Sequence, residues 1–243
     1  LLDASDRGAS DLTVAGKLFC DRFPPDKIPA LPTCGIFLRR EFPLKNNLEF
    51  PEGIHPCEDG LFSHFVLALT EKISFCPEAV YHYRQHEQGN HHQIRKRTAD
   101  ILPMIPRWLS LIEEFYEQRH LWKRKAGHLV RFIEHEPFEL RLLGMPFSPP
   151  EQKILYSIIR DFLNAHCTAA ECRRASLHLP FRLLLQASGF SDFGRRLRRA
   201  GKNTGIRRKL LHFCPVPSWR RNGRAQLRQV REQLEEIRRN ITF

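Results

Sequence analysis

The spacing of apolar residues after Asp59 constrains the fold more than any other feature of the chain. Apolar side chains recur there at intervals that place them on one face of an α-helix. They are Leu61, Phe62, Phe65, Val66 and Leu69. Turn residues precede this stretch at 51–53, and a strand-like segment follows it at 72–76. The pattern predicts a helix that begins at Glu58-Asp59 inside a mixed α/β region.

A carboxylate in the first turn of a helix is favoured by the free backbone N–H groups and by the helix dipole. We therefore expect Asp59 to be ionised and held in one orientation, which suits a catalytic base. The simpler alternative is that Glu58-Asp59 only caps the helix.

Further elements follow from the positions of prolines and apolar residues. Prolines between 24 and 32 predict a loop over 21–33, and a short helix is expected over 35–40. Strands are predicted at 11–16, 72–76 and 79–83. Beyond residue 95 the pattern becomes helical, with helices at 98–119 and 121–135. Ser148-Pro149-Pro150-Glu151 has the form of a capping box that starts another helix.

The seven cysteines show no Cys-x-x-Cys pair and no even framework, which indicates reduced thiols. His166-Cys167, Cys172 and His178 could be drawn as a metal site, but their spacing matches no standard zinc motif, so ordinary packing is favoured. No apolar run approaches the roughly 18 residues that span a bilayer, so we predict no transmembrane helix.

The excess of positive over negative charge is confined to the last quarter of the chain. Residues 1–181 contain 23 basic and 23 acidic side chains, whereas residues 182–243 contain 16 basic and 4 acidic ones. The whole net charge of +12 therefore belongs to a tail attached to a neutral body.

Five short motifs within residues 34–94 resemble the second half of the catalytic domain in bacterial family 2 glycosyltransferases. They are Arg39-Arg40-Glu41-Phe42, Asn47-Leu48-Glu49-Phe50-Pro51-Glu52-Gly53, Glu58-Asp59-Gly60-Leu61-Phe62, Ile73-Ser74-Phe75 and Tyr81-His82-Tyr83-Arg84. Arg84-Gln85-His86 and Asn90 are similar to the closing loop of that family. No single motif is specific to that family, but the occurrence of all five in this order is.

The resemblance implies an α/β fold over 1–95, the C-terminal half of a GT-A Rossmann-like nucleotide-diphospho-sugar transferase domain. An all-α helical extension over 96–181 and a basic helical tail over 182–243 would follow. The implied reaction is inverting transfer from a nucleotide-sugar donor to a glycan or lipid-linked acceptor in bacterial surface polysaccharide synthesis.

The resemblance also assigns roles to individual residues. Asp59 matches the general base, and Glu58 would orient it or bind the acceptor. Arg84 and His86 lie in the loop that closes over the donor phosphates, and His86 is a candidate contact to phosphate or metal. The alternative for His86 is an ordinary surface histidine.

One part of the family pattern is not found. The Asp-x-Asp motif that holds the nucleotide and a divalent cation, Mg²⁺ or Mn²⁺, does not match Asp3-Ala4-Ser5-Asp6. Residues 1–16 instead resemble the helix and strand that follow that motif. We therefore expect a truncated enzyme that lacks the N-terminal nucleotide-binding half and does not turn over a sugar nucleotide alone.

The basic tail suggests a membrane partner. Its arginine clusters at 195–199, 207–209 and 220–221 are interleaved with Leu, Phe and Trp, which suits a cytoplasmic protein bound peripherally to the anionic inner face of the membrane. The alternatives are a nucleic-acid-binding helical protein, a non-catalytic interaction domain, or a solvated basic face. An apolar seam over 227–241 suggests a helix packed on its own domain or, less simply, a homodimer.

Overall fold

A computed structural model of the chain describes residues 10–16, 33–80 and 97–212 and the single residues 28, 30, 82, 228 and 232, with the backbone alone at 202–212. Residue contacts divide the chain into two compact units, Leu1–Glu136 and Pro137–Phe243. The predicted domain boundaries at 95 and 181 do not coincide with this division, and the assignment of functional domains stays a prediction.

A small mixed sheet supports the first unit. Its strands are β1 (Leu12–Ala15), β2 (Ile36–Leu38) and β3 (Ile73–Cys76), in the order β2-β1-β3. Strand β1 runs antiparallel to β2 and parallel to β3. The hydroxyl groups of Thr13 and Ser74 lie 2.7 Å apart across β1 and β3. The predictions of strands at 11–16 and 72–76 are confirmed.

Two short predictions around this sheet are wrong. The helix expected over 35–40 is a 3-10 turn (Thr33–Gly35) followed by β2, and the next helix, α1, covers Glu41–Lys45. Pairing with β1, which is distant in sequence, overrides the local preference of so short a segment. The strand expected over 79–83 is not formed at its described residues 79, 80 and 82. Ala79 N–H instead donates to the Cys76 carbonyl in a turn.

Helix α2 (Glu58–Leu69) is the central element of the first unit and confirms the helix predicted from the apolar spacing. Every residue from 60 to 68 is buried. A helix that is buried all round must be covered by other elements. A short helix, α3 (Thr98–Ile101), precedes α4 (Met104–Gln118), and α2 contacts α4, α5 (Trp122–Ile133) and the 3-10 turn at Thr33–Gly35. The prolines near residue 103 separate α3 from α4 within the predicted helix 98–119, and α5 confirms the prediction at 121–135.

A stack of buried rings joins α2 to α4 and α5. The His64 ring lies 4.3 Å from the His128 ring, with only 8° between their planes, and 4.3 Å from the Phe132 ring. His64 Nε2 lies 3.2 Å from the Tyr116 hydroxyl, and His128 Nε2 donates to the His64 carbonyl over 3.1 Å. These hydrogen bonds supply partners for polar atoms that burial removes from water.

A π-helix (Glu134–Leu143) continues from α5 and contains Pro137, which has no N–H to donate. The second unit then holds α6 (Pro149–His166), α7 (Ala169–Ala175), α8 (Leu179–Gln186) and α9 (Phe190–His212). The capping box predicted at Ser148 and Glu151 is confirmed, and Thr168 and Glu171 form a second one. Within 97–212 no described residue is in a strand, as expected of the helical region.

Aromatic side chains form the core of the second unit. Phe138, Phe181 and Phe193 are almost completely buried, and the Phe138 and Phe181 rings lie 5.1 Å apart. Tyr156 stacks on Phe193 at 5.8 Å. In the described part of the chain, no helix combines the length and hydrophobicity needed to cross a membrane. The predicted seam at 227–241 lies outside the described residues, apart from 228 and 232.

Candidate functional site

The candidate site lies where the chain enters α2. Residue Cys57 precedes the helix with a left-handed backbone (φ 93°), and its carbonyl accepts from Leu61 N–H. Cys57 supplies no side-chain cap. A non-glycine residue in this conformation carries backbone strain of order 1 kcal/mol or more. The surrounding structure therefore holds the helix entrance in one geometry, with Glu58 and Asp59 in its first turn.

Asp59 is fixed by a local hydrogen bond. Its Oδ1 accepts from the Gly60 N–H over 2.8 Å, and the residue is partly buried. One carboxylate oxygen is thereby oriented by the backbone, as expected for a carboxylate at a helix start. The carboxyl group stands at the edge of the core.

A third carboxylate belongs to this site. Glu136, at the end of the first unit, is buried with only 7% of its surface exposed. A Cβ placed on Gly60 would lie 3.2 Å from Oε1 of Glu136 and 3.1 Å from Sγ of Cys57. Because Gly60 has no side chain, the Glu136 carboxylate approaches the first turn of α2 beside Asp59.

Burial raises the pKa of Asp59 above the usual aspartate range, and the nearby negative charges of Glu136 and Glu58 raise it further. The hydrogen bond from Gly60 acts in the opposite direction. The expectation that Asp59 is ionised stays a prediction, while desolvation and the two carboxylates outweigh the hydrogen bond from Gly60 and shift the pKa of Asp59 upward. A carboxylate with a raised pKa is a stronger proton acceptor when ionised.

Glu58 points toward the surface side of the helix entrance. Its Oε1 lies 3.2 Å from Nδ1 of His55, and both side chains are well exposed, so this pair contributes little to stability. The other oxygen, Oε2, is buried and accepts no hydrogen bond from any described residue. Oε1 is therefore the Glu58 oxygen on the surface side of the helix entrance, and Oε2 is shielded from solvent.

An aromatic surface lies on the same side of α2. Phe62 follows Asp59 by three residues, a spacing that makes side chains neighbours on a helix. The Phe50 ring stacks on Phe62 at 4.1 Å with 11° between the planes, and half of the Phe50 side chain is exposed. A flat apolar surface is thus available beside the carboxylates.

The structure brings together Glu58 and Asp59 of the predicted site. Arg84 and His86, predicted to contact donor phosphates or metal, lie outside the described residues. His55 and Glu136 were not predicted to belong to the site. The sequence feature that could have indicated Glu136 is a charged residue at the end of a largely apolar helical stretch. That feature does not reveal its neighbour, because residue 60 is distant in sequence.

The site was also tested for the divalent cation that the resemblance implies. Among the described residues, no group of three or more His, Cys, Asp or Glu side chains is arranged to hold a metal ion. This holds for Cys167, Cys172 and their neighbouring histidines as well. The described residues therefore do not fit a resident cation.

No family model matches the chain, and no curated protein and no solved structure shows significant similarity to it.

Proposed function

We propose that the chain is the acceptor-side part of an inverting glycosyltransferase similar to bacterial family 2 enzymes, with a GT-A type catalytic domain and Asp59 as the general base. The observation that carries the proposal is the partly buried Asp59 at the start of α2, whose pKa is raised by burial and by Glu136. Perturbed carboxylates of this kind concentrate at catalytic sites.

The proposed step uses the carboxylate directly. The acceptor hydroxyl gives its proton to Asp59 while its oxygen bonds to the anomeric carbon of the donor sugar. The bond from that carbon to the nucleoside diphosphate breaks at the same time, and the configuration inverts. Gly60 N–H holds one oxygen of Asp59 in place, which leaves the other oriented for the proton.

Neighbouring groups support binding of a sugar acceptor. Glu58 Oε1, on the surface side of the helix entrance, can accept a hydrogen bond from a sugar hydroxyl. The exposed face of Phe50, stacked on Phe62, offers an apolar surface of the size of a sugar ring. A glycan or lipid-linked acceptor presents both kinds of surface.

The test is Asp59→Asn, which keeps the hydrogen bond from Gly60 and removes the base. The assay follows nucleoside diphosphate release from nucleotide sugars, using the full natural protein that contains this chain. We expect transfer to fall by about 10²–10⁴-fold, the usual contribution of a positioned general base. Circular dichroism should show unchanged folding.

Asp100→Asn is the matched control, because Asp100 is an exposed carboxylate in the first turn of another helix, α3. It should leave transfer unchanged. Full transfer by the Asp59→Asn protein would exclude Asp59 as the base. No transfer by the unsubstituted protein would favour the non-catalytic alternative, a helical protein that binds membranes or nucleic acid.

A further inference from the structure

A second surface of the first unit has the features of a binding site. A pocket of about 260 Å³ lies between the C-terminal end of α2, the start of β3, Ile28 and one face of α5. Its α2 and β3 residues are Leu67, Thr70 and Ile73. Asp59 and Thr70 stand at opposite ends of α2, about 16 Å apart at the helix rise per residue. The pocket is therefore separate from the carboxylate site.

One face of α5 makes the pocket cationic. The lining residues of this helix are Arg124, Lys125, Gly127, His128 and Arg131. The spacing between 124, 128 and 131 places their side chains on one side of the helix. No acidic side chain is among the described lining residues. Two acids outside the lining act on it. The negative charge of Glu71 acts on Lys125, and Asp11 accepts a hydrogen bond from the Thr70 hydroxyl at 3.4 Å.

Lys125 is partly removed from water in this pocket, whereas Arg124 stays exposed. Burial lowers the pKa of Lys125, and the positive charges of Arg124 and Arg131 lower it further, against the opposing effect of Glu71. Like charges gathered in a partly desolvated pocket cost free energy that an anion would offset. An exposed basic helix face has no such cost, since each charge keeps its own water.

The backbone of α5 is also distorted at this point. Lys125 departs from helical geometry (φ −123°, ψ 17°), although its N–H still donates to the Leu121 carbonyl over 2.8 Å. The distortion lies at one of the residues that line the pocket.

We propose that this pocket binds a phosphate group, either as free phosphate or as the phosphate of a lipid headgroup. Guanidinium groups match the tetrahedral oxygens of phosphate, and an ammonium adds a point charge. The pocket is smaller than those of drug-sized ligands, which occupy about 300–1,000 Å³, so it suits a small anion. This proposal is independent of the glycosyltransferase reaction.

The test compares Lys125→Gln with Lys123→Gln in the full chain. Lys123 lies on the same helix, is exposed and does not line the pocket. Inorganic phosphate and pyrophosphate are titrated by calorimetry at low ionic strength, and phosphatidylglycerol vesicles are tested by co-sedimentation. We expect Lys125→Gln to weaken phosphate binding at least tenfold and Lys123→Gln to leave it within twofold.

The two arms separate the sources of the phosphate. A Lys125-dependent loss confined to vesicles would identify a lipid headgroup, and a loss seen with inorganic phosphate would identify a soluble ligand. Absence of Lys125-dependent binding in both arms, or equal weakening by both variants, would overturn the proposal. Arg124→Gln is the second variant, and it should also weaken phosphate binding. Because Arg124 is exposed, its replacement should not disturb folding.

Discussion

Burial of His128 links the stability of the first unit to pH. Loss of hydration lowers the pKa of His128 to about 3, and the positive charges of Arg131 and Lys125 act in the same direction. The hydrogen bond to the His64 carbonyl opposes them. The folded protein therefore holds this imidazole neutral at a pH where an unfolded chain would protonate it.

The direction of the pH effect follows from that difference. The ordinary pKa of histidine is 6.5, and that of His128 in the folded protein is about 3. Between these two pH values the unfolded chain binds a proton at this residue that the folded chain does not. Stability is therefore lost as the pH falls through this window, by up to about 1.4 kcal/mol per pH unit from this residue.

We expect His128→Gln to reduce this loss of stability at acidic pH, because the Gln amide can still donate to the His64 carbonyl but does not titrate. The measurement is the urea midpoint between pH 7 and pH 4. His82→Gln replaces an exposed histidine and serves as the control. An unchanged pH slope in the His128→Gln protein would show that other groups govern its acid unfolding.

At the scale of the element, the first turn of α2 depends on the absence of a side chain at Gly60. Alanine is favoured over glycine in helices by about 1 kcal/mol. At Gly60, however, the added methyl group would meet the Cys57 sulfur and the Glu136 carboxylate at 3.1 and 3.2 Å. At this position, steric crowding should therefore outweigh the stability gained from the higher helix propensity of alanine.

The comparison is with Gly201→Ala in α9, where an added Cβ meets nothing within 4 Å. We expect Gly201→Ala to stabilise the protein by about 0.5–1 kcal/mol and Gly60→Ala to destabilise it by about 1 kcal/mol or more. Urea denaturation measures both. Equal stabilisation by the two substitutions would mean that Glu136 does not approach α2 closely.

The elements also show what the sequence can predict. Helix α2 and strand β1 are predictable, because apolar periodicity and turn residues are local signals. Strand β2 is not, because a three-residue segment carries too little pattern and is decided by pairing with β1. The same limit applies to the site: Asp59 was predicted from its own helix, whereas Glu136 reaches it only through tertiary packing.

At the scale of the whole molecule, the arginines of α9 make a charged surface on the second unit. Phe193 and Leu197 are buried on one side of the helix, while Arg195, Arg198 and Arg199 are exposed. Asp192 accepts hydrogen bonds from Arg195 and Arg196, and the bond from Arg196 is the main reason that its pKa falls to about 2. The exposed side of this helix therefore keeps an excess of positive charge.

We expect the chain to bind phosphatidylglycerol vesicles at low salt and to be released as salt rises. Each basic residue near an anionic surface contributes about 1 kcal/mol, so replacing both Arg198 and Arg199 by Gln should weaken binding roughly tenfold or more. Co-sedimentation measures the bound fraction. The control replaces Arg173 and Arg174 of α7, another adjacent exposed pair. Equal effects of the two pairs would indicate a general charge effect instead of a surface formed by α9.

The narrow sheet has a consequence for how this chain meets other polypeptides. Among the described strands, β1 is paired on both sides, so the outer rows of backbone N–H and C=O groups of the sheet lie on β2 and β3. Such rows are templates on which an extended segment can add, and the exposed Phe37 of β2 gives the added segment an apolar contact. A segment that extended this sheet would have to add at β2 or β3, since β1 is paired on both sides.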